Sequence, residues 1–312
     1  MGRWKAIGIK ALIQEAAVAV SLTSLLVLVP AQTTSAAPRS KPDGACSAWS
    51  VRTLLSGQGW LENLAFDGSG SITISALSQG RLLKLTRGGT LSTLLSAVPA
   101  PGGESRRGNV LYFDTGDTMP VTPKGTIDRL DLRTGRYVTW ARGLTMPNGL
   151  VILGDGDAIV TSIVTSVTRV PARDPAHPAF GWADVNDTNG IALDSSGRWL
   201  YVDRTFSSDG EVDRILVSDP RRVEIVGRLG AGSEPDDMAI DAHGILYVAG
   251  FGTGKIYRLD PRTRTSCAIA SGLTSPTSVR FGGRGWPSGN LFVTDAGGHL
   301  SELTAARHLQ SG

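Results

Sequence analysis

The sequence contains few of the residues that mark common catalytic sites. Only two cysteines and four histidines occur among 312 residues. There is no G-x-S-x-G nucleophile elbow, H-E-x-x-H zinc helix, phosphate-binding P-loop or EF-hand loop. The histidines do not have the spacing of paired metal ligands: His177, His243, His299 and His308. A zinc site, which prefers Cys and His ligands, is therefore not expected.

Excess charge of either sign is also missing. The chain has 31 Lys and Arg against 28 Asp and Glu. Three of these basic residues and one acidic residue lie in the first 36 positions, so the remainder carries 28 minus 27, or +1. A nearly neutral chain gives no reason to expect a nucleic-acid partner. A hydrophobic fraction of 41% argues against intrinsic disorder.

The first 36 residues have the pattern of a signal peptide. Arg3, Lys5 and Lys10 precede an apolar run over residues 16–29, and small residues at 34–37 provide a cleavage site. The run is shorter than the about 20 residues of a membrane-spanning helix, and no Cys follows it as a lipid anchor. We therefore predict a secreted protein, extracellular or in the cell envelope, without a membrane span after processing.

Short β-rich runs separated by Gly, Asp, Ser and Pro turns repeat along the rest of the chain. The third run of each unit is marked by one residue, at intervals of 45, 40, 45, 44 and 44: Lys84, Arg129, Arg169, Arg214, Arg258 and Glu302. Six such units predict an all-β fold, a six-bladed β-propeller over residues 49–304. Residues 37–48 are an N-terminal segment and residues 305–312 a C-terminal tail. The first strand of unit two, within residues 100–108, cannot be placed.

The two ends of the chain are expected to meet. The last unit ends after its third strand, whereas residues 49–55 form an extra strand before the first unit. We predict that this strand completes blade six, so that N- and C-terminal strands pair and close the ring. Because export leads to an oxidising compartment and the cysteine count is even, we also predict a Cys46–Cys267 disulfide.

Four oxygen-bearing residues recur at one position of the inner strands, which line the channel of a propeller. They are Glu62, Asn148, Asn189 and Asp236. Two carboxylates and two amides at the same depth form a set of hard oxygen ligands that suits Ca²⁺, although another divalent metal is an alternative. Asn-Gly is also a turn dipeptide, so Asn148 and Asn189 could instead serve only to bend the chain.

The segments around these positions resemble the senescence-marker-protein/gluconolactonase/luciferin-regenerating-enzyme-like family. The resemblance is carried by Glu62-Asn-Leu-Ala-Phe-Asp67, Pro147-Asn-Gly-Leu150 and residues 189–202 and 235–248, and it covers most of residues 49–304. Residues 111–152 also resemble the strictosidine-synthase-like branch of the same superfamily.

This resemblance implies hydrolysis of lactones with a divalent metal, usually Ca²⁺, in the channel. Matched motif by motif, the metal ligands fall on Glu62, Asn189 and Asp236. We further predict that Asp236 orients or deprotonates the attacking water. The substrate-side Asn falls on Asn148. Sugar-lactone members of the family often have an Arg where this chain has Met146. This difference favours a more apolar lactone or ester, with Met146 beside the substrate.

We therefore predict a secreted, metal-dependent hydrolase of lactones or related esters that acts as a monomer on a small molecule. Two alternatives remain open. One is a propeller without catalytic activity that binds a cell-envelope or extracellular ligand, since a fold alone does not define a function. The other is a strictosidine-synthase-like enzyme.

Overall fold

The computed structural model describes residues 46–305. The predicted signal peptide lies outside this range, as do residues 37–45 of the N-terminal segment and residues 306–312 of the tail. Within the described range, no helix is long and apolar enough to cross a membrane. Apart from a 3-10 turn at Leu77–Gln79, the regular structure over these residues consists of β-strands.

The strands form six antiparallel sheets of four, which confirms the predicted all-β six-bladed propeller. The inner strands are β2 (Leu64–Phe66), β6 (Pro101–Arg107), β10 (Leu150–Ile152), β14 (Thr188–Leu193), β18 (Pro235–Ile240) and β22 (Pro276–Phe281). The second strands are β3 (Ser71–Ala76), β7 (Val110–Thr115), β11 (Ala158–Val160), β15 (Trp199–Arg204), β19 (Leu246–Gly250) and β23 (Leu291–Asp295).

The outer half of each blade follows the same order. The third strands are β4 (Arg81–Thr86), β8 (Gly125–Asp131), β12 (Val167–Val170), β16 (Glu211–Leu216), β20 (Lys255–Asp260) and β24 (Leu300–Thr304). The outermost strands are β5 (Leu91–Ser96), β9 (Tyr137–Leu144), β13 (Ala179–Ala183), β17 (Asp219–Arg228), β21 (Thr265–Ser271) and β1 (Ser50–Leu55). Several of the strands within a blade are joined by tight turns. In the turn after β18, Asp241 accepts the backbone N–H groups of His243 and Ile245.

The hydrophobic core is divided between the blades. Six buried apolar clusters are present in the described residues, and each contains residues of two neighbouring blades. Between blades one and six, for example, Ile72 and Ile74 pack in one cluster with Phe292 and Leu300. Because each sheet buries both of its faces against neighbours, the blades stabilise one another around the ring.

The ring closes as predicted. Strand β1 pairs with β24 in antiparallel register, from Ser50 opposite Thr304 to Thr53 opposite Ser301. Arg52 on β1 also forms an ion pair with Glu302 on β24. The predicted disulfide between Cys46 and Cys267 is present, with Cα atoms 5.9 Å apart. It joins the segment before β1 to the outermost strand of blade five.

The inner strand of blade two, which could not be placed from the sequence, is β6. Its sequence is Pro-Gly-Gly-Glu-Ser-Arg-Arg, and its first four residues are buried. Strand prediction relies on alternating β-branched or aromatic residues, and β6 has none. The channel side of blade two is therefore built from small residues and one buried carboxyl, Glu104.

Candidate functional site

One residue at or just before the start of each inner strand belongs to what we call the channel ring. Its members are Glu62, Gly102, Asn148, Asn189, Asp236 and Thr277. In blades two, four, five and six the register between inner and second strand shifts at this point. In blades one and three the ring residue precedes the short inner strand, but its backbone N–H still donates a hydrogen bond to the second strand. Glu62 N–H donates to the carbonyl of Ser75, and Asn148 N–H donates to the carbonyl of Thr161. Such bulges turn side chains away from the regular alternation.

Two buried carboxyls of the channel ring repel one another. Glu62 is 4% exposed and Asp236 is 6% exposed. Burial raises the pKa of both groups well above the usual range, and the charge of Glu62 raises the pKa of Asp236 further. The indole N–H of Trp60 donates to Glu62, but no Lys or Arg in the described residues forms an ion pair with either carboxyl. Two buried anions without a counter-ion are costly, so this site favours a cation.

The amide members of the channel ring, Asn148 and Asn189, lie between Glu62 and Asp236 in chain order. Asn189 is 7% exposed, and its Oδ1 is buried without a hydrogen-bond partner, as is Oδ1 of Asp236. Unpaired buried oxygens are rare in proteins and require an explanation such as an ion. The donor set of Glu62, Asn189 and Asp236 consists of hard oxygens, so the residues fit a divalent cation such as Ca²⁺.

A third carboxyl, absent from the sequence prediction, lies beside this group. Asp117 follows β7 in the loop of residues 116–124, and its Oδ2 accepts a hydrogen bond of 3.1 Å from Nδ2 of Asn148. Burial raises the pKa of Asp117 to about 7, and its charge in turn raises the pKa of Glu62 and Asp236. Asn148 is thus tied to an acidic group rather than free in a turn.

The three carboxyls are not arranged as ligands of one ion. Within residues 46–305, no three His, Cys, Asp or Glu side chains are grouped so that they could hold a metal ion. A cation between Glu62 and Asp236 would therefore depend on amide oxygens and water to complete its coordination.

Apolar side chains lie next to Glu62 of the channel ring. The rings of Trp60 and Phe251 stack with centroids 5.6 Å apart, and the same Trp60 bonds to Glu62. Met146, predicted beside the substrate, is buried at 7% exposure and has a backbone φ of 45° just before Pro147 and Asn148.

Arg280 neutralises Asp237, the carboxyl that follows Asp236 along β18. Asp237 Oδ2 lies 2.6 Å from Nη1 of Arg280, and it also accepts hydrogen bonds from Asn63 and Ser278.

A cavity of about 390 Å³ lies at the end of the inner strands opposite the channel ring, and Glu104, Arg280, Phe66 and Phe281 line it. Burial raises the pKa of Glu104 to about 7, and its carboxyl accepts hydroxyls from Thr73 and Ser75. The channel ring and this cavity are therefore separate environments.

Comparison with solved structures places the fold among propellers of several activities. A gluconolactonase from Xanthomonas campestris is 20% identical, with 84% of this chain and 92% of that chain covered and a TM-score of 0.69. A putative oxidoreductase (glucose dehydrogenase) from Thermus thermophilus is 20% identical, with coverages of 82% and 100% and a TM-score of 0.62. Virginiamycin B lyase from Staphylococcus aureus is 15% identical, with coverages of 79% and 80% and a TM-score of 0.58.

Comparison of the sequence itself with curated proteins gave no match. Against protein families, residues 182–297 match the SMP-30/Gluconolactonase/LRE-like region. This range runs from the outermost strand of blade three to the second strand of blade six, and it includes Asn189 and Asp236. The match over residues 182–297 of the six-bladed propeller confirms the family resemblance predicted from the sequence.

Proposed function

We propose that the protein is a hydrolase of lactones or related esters that uses a divalent cation, Ca²⁺ in the first instance. The observation that carries this proposal is the pair of buried, mutually repelling carboxyls, Glu62 and Asp236, beside unpaired oxygens of Asn189 and Asp236. Glu62, Asn189 and Asp236 would hold the cation. When bound, the cation would polarise the substrate carbonyl and stabilise the negative charge that develops on its oxygen.

The protein side chains have separate tasks in this proposal. Asp236 orients the attacking water toward the carbonyl carbon, and Asn148 positions the substrate through its amide. Trp60, stacked on Phe251, bonds to Glu62 and so fixes that carboxylate beside an apolar surface. This surface and Met146 favour a substrate with an apolar body over a polyhydroxylated one.

Export is part of the same proposal. The Cys46–Cys267 disulfide supports an oxidising compartment, since such bonds persist mainly outside the cytosol. We infer that the protein acts on a small molecule after secretion, in the cell envelope or outside the cell.

The proposal is tested by metal analysis and turnover of the same samples. Purified protein is analysed for bound metals, stripped with chelator and titrated with Ca²⁺ by calorimetry. Hydrolysis of gluconolactone, an alkyl-substituted lactone and phenyl acetate is measured with and without chelator. We expect bound Ca²⁺, chelator-sensitive turnover and preference for the alkyl lactone.

Variants then separate the site from the scaffold. Asp236→Asn and Asn189→Ala are expected to weaken Ca²⁺ binding by roughly tenfold or more, and Asn148→Ala to reduce turnover with Ca²⁺ binding retained. Asp128→Asn is the control, because Asp128 is a buried carboxyl on β8 that accepts bonds from Thr126 and Tyr137, away from the channel ring. A parent protein that binds no metal and opens no lactone would instead favour a binding module without catalytic activity.

A further inference from the structure

The channel ring lacks a side chain at blade two, where Gly102 stands. A Cβ at this position would lie 3.4 Å from the Cβ of Asp117 and would collide with Oδ1 of Asp114. The glycine therefore leaves room for the carboxyl of Asp114 on β7, and Asp117, from the loop after β7, lies in contact range of the same position. Asp117 brings a carboxyl to the side of the ring where the inner strand of blade two provides none.

One carboxyl oxygen of Asp117 accepts a hydrogen bond, and the other has no hydrogen-bond partner among the described residues. The residue is 8% exposed, and its Oδ2 accepts the hydrogen bond from Asn148. No hydrogen bond from a described residue reaches Oδ1, and Oδ1 is not one of the fully buried unpaired atoms. Oδ1 is therefore neither bonded to a described donor nor fully enclosed, so it is able to accept a proton from a molecule bound beside it.

Asp117 is close to the proposed cation site without belonging to it. It bonds to Asn148 and lies beside Gly102, two members of the channel ring, and its charge raises the pKa of both Glu62 and Asp236. No three acidic side chains of residues 46–305 are grouped to hold one metal ion, so Asp117 is not a third acidic ligand. A carboxylate that ligates a cation is a weaker base than one beside it, because the cation stabilises its ionised form.

We propose that Asp117 is the general base of the hydrolysis, a role that rests on the proposed function above. The water oxygen forms a bond to the carbonyl carbon while one water proton passes to Oδ1 of Asp117. The ring C–O bond then breaks, and its oxygen takes this proton, so that the product is a hydroxy acid. Asp236 remains a cation ligand, and the bond from Asn148 holds Asp117 in orientation.

The test compares Asp117→Asn, Asp117→Gly and the control Asp128→Asn in the full chain. Asp117→Asn preserves shape and an acceptor for Asn148, so kcat should fall by about 100-fold or more, the usual contribution of a general base. KM and Ca²⁺ affinity, measured by calorimetry, should remain within about threefold of the parent. In Asp117→Gly, added formate should restore part of the lost turnover, because it can occupy the vacated space and accept the proton. Asp128→Asn should retain parental turnover.

The opposite results are equally specific. Parental turnover in Asp117→Asn, loss of Ca²⁺ affinity in that variant, or no response of Asp117→Gly to formate would each overturn the role of Asp117 while leaving the proposed function intact. A parent that binds Ca²⁺ but opens no lactone would overturn the proposed function and the role of Asp117 together.

Discussion

Arg280 on β22 and Asp237 on β18 form an ion pair of 2.6 Å beneath the channel ring, and the Asp237 side chain is only 3% exposed. Removal of the guanidinium would leave a buried carboxylate unpaired. We expect Arg280→Met to reduce the free energy of unfolding by about 3–5 kcal/mol in urea titrations. Arg221→Met, which breaks a solvent-exposed pair with Asp219, should cost no more than about 1 kcal/mol. Equal effects of the two substitutions would contradict this assignment.

The carboxyl of Glu104 should make stability depend on pH. Burial raises its pKa from 4.5 to about 7 in the folded protein, against the hydroxyls of Thr73 and Ser75, which lower it. Between these values the folded chain keeps a proton that the unfolded chain has released. The free energy of unfolding therefore falls as pH rises from about 4.5 to 7, by about 3 kcal/mol from this group alone.

Glu104→Gln should remove that contribution. Urea titrations at several pH values between about 4.5 and 7.5 should show the variant gaining stability relative to the parent as pH rises. Glu224→Gln is a suitable comparison, since Arg214 and Arg222 lower the pKa of Glu224 near the surface. Parallel stability curves for the parent and Glu104→Gln would show that Glu104 titrates alike in the folded and unfolded states.

The disulfide should be fully formed and stabilising. Thiol titration of the denatured, unreduced protein should detect no free cysteine. Because the bridge closes a loop with a sequence separation of 221 residues, the double variant Cys46→Ser, Cys267→Ser should lose about 2–5 kcal/mol of unfolding free energy. Two reactive thiols in the parent would refute the bridge.

Strand β1 should be required by the whole domain. A variant that lacks residues 37–55 loses the outermost strand of blade six and exposes the edge of β24. We expect a lower melting temperature and a broadened unfolding transition. Val51→Ala serves as the control, since this side chain on β1 is 42% exposed and should change the melting temperature little. A truncated variant that melts like the parent would rule out this role of β1.

Much of the fold could be predicted from the sequence, because the marker residues repeat at nearly constant intervals, four of the five being 44 or 45 residues. Strand β6 broke this rule, since its buried part consists of proline, glycines and Glu104 rather than alternating apolar residues. Its placement depends on neighbouring blades, which a single strand sequence does not reveal.

The site was predictable only where it follows the repeat. Glu62, Asn148, Asn189 and Asp236 occupy equivalent positions and could be aligned by spacing alone. Asp117 lies in a loop outside the repeated strands, and the hydrogen bond from Asn148 holds it beside the ring at the position of Gly102. The missing ring residue in blade two was the available signal: a gap in a repeated set of polar residues points to a group supplied from elsewhere.

Pairing of β1 with β24 also affects the order in which the blades can form. Ser50 and Thr304 are 254 residues apart, so the first strand to leave the ribosome must wait for the last. Blades one to five each consist of contiguous strands and can form in sequence, whereas blade six cannot exist until the chain is almost complete. Closure of the ring therefore requires a long-range encounter between the two ends of the chain.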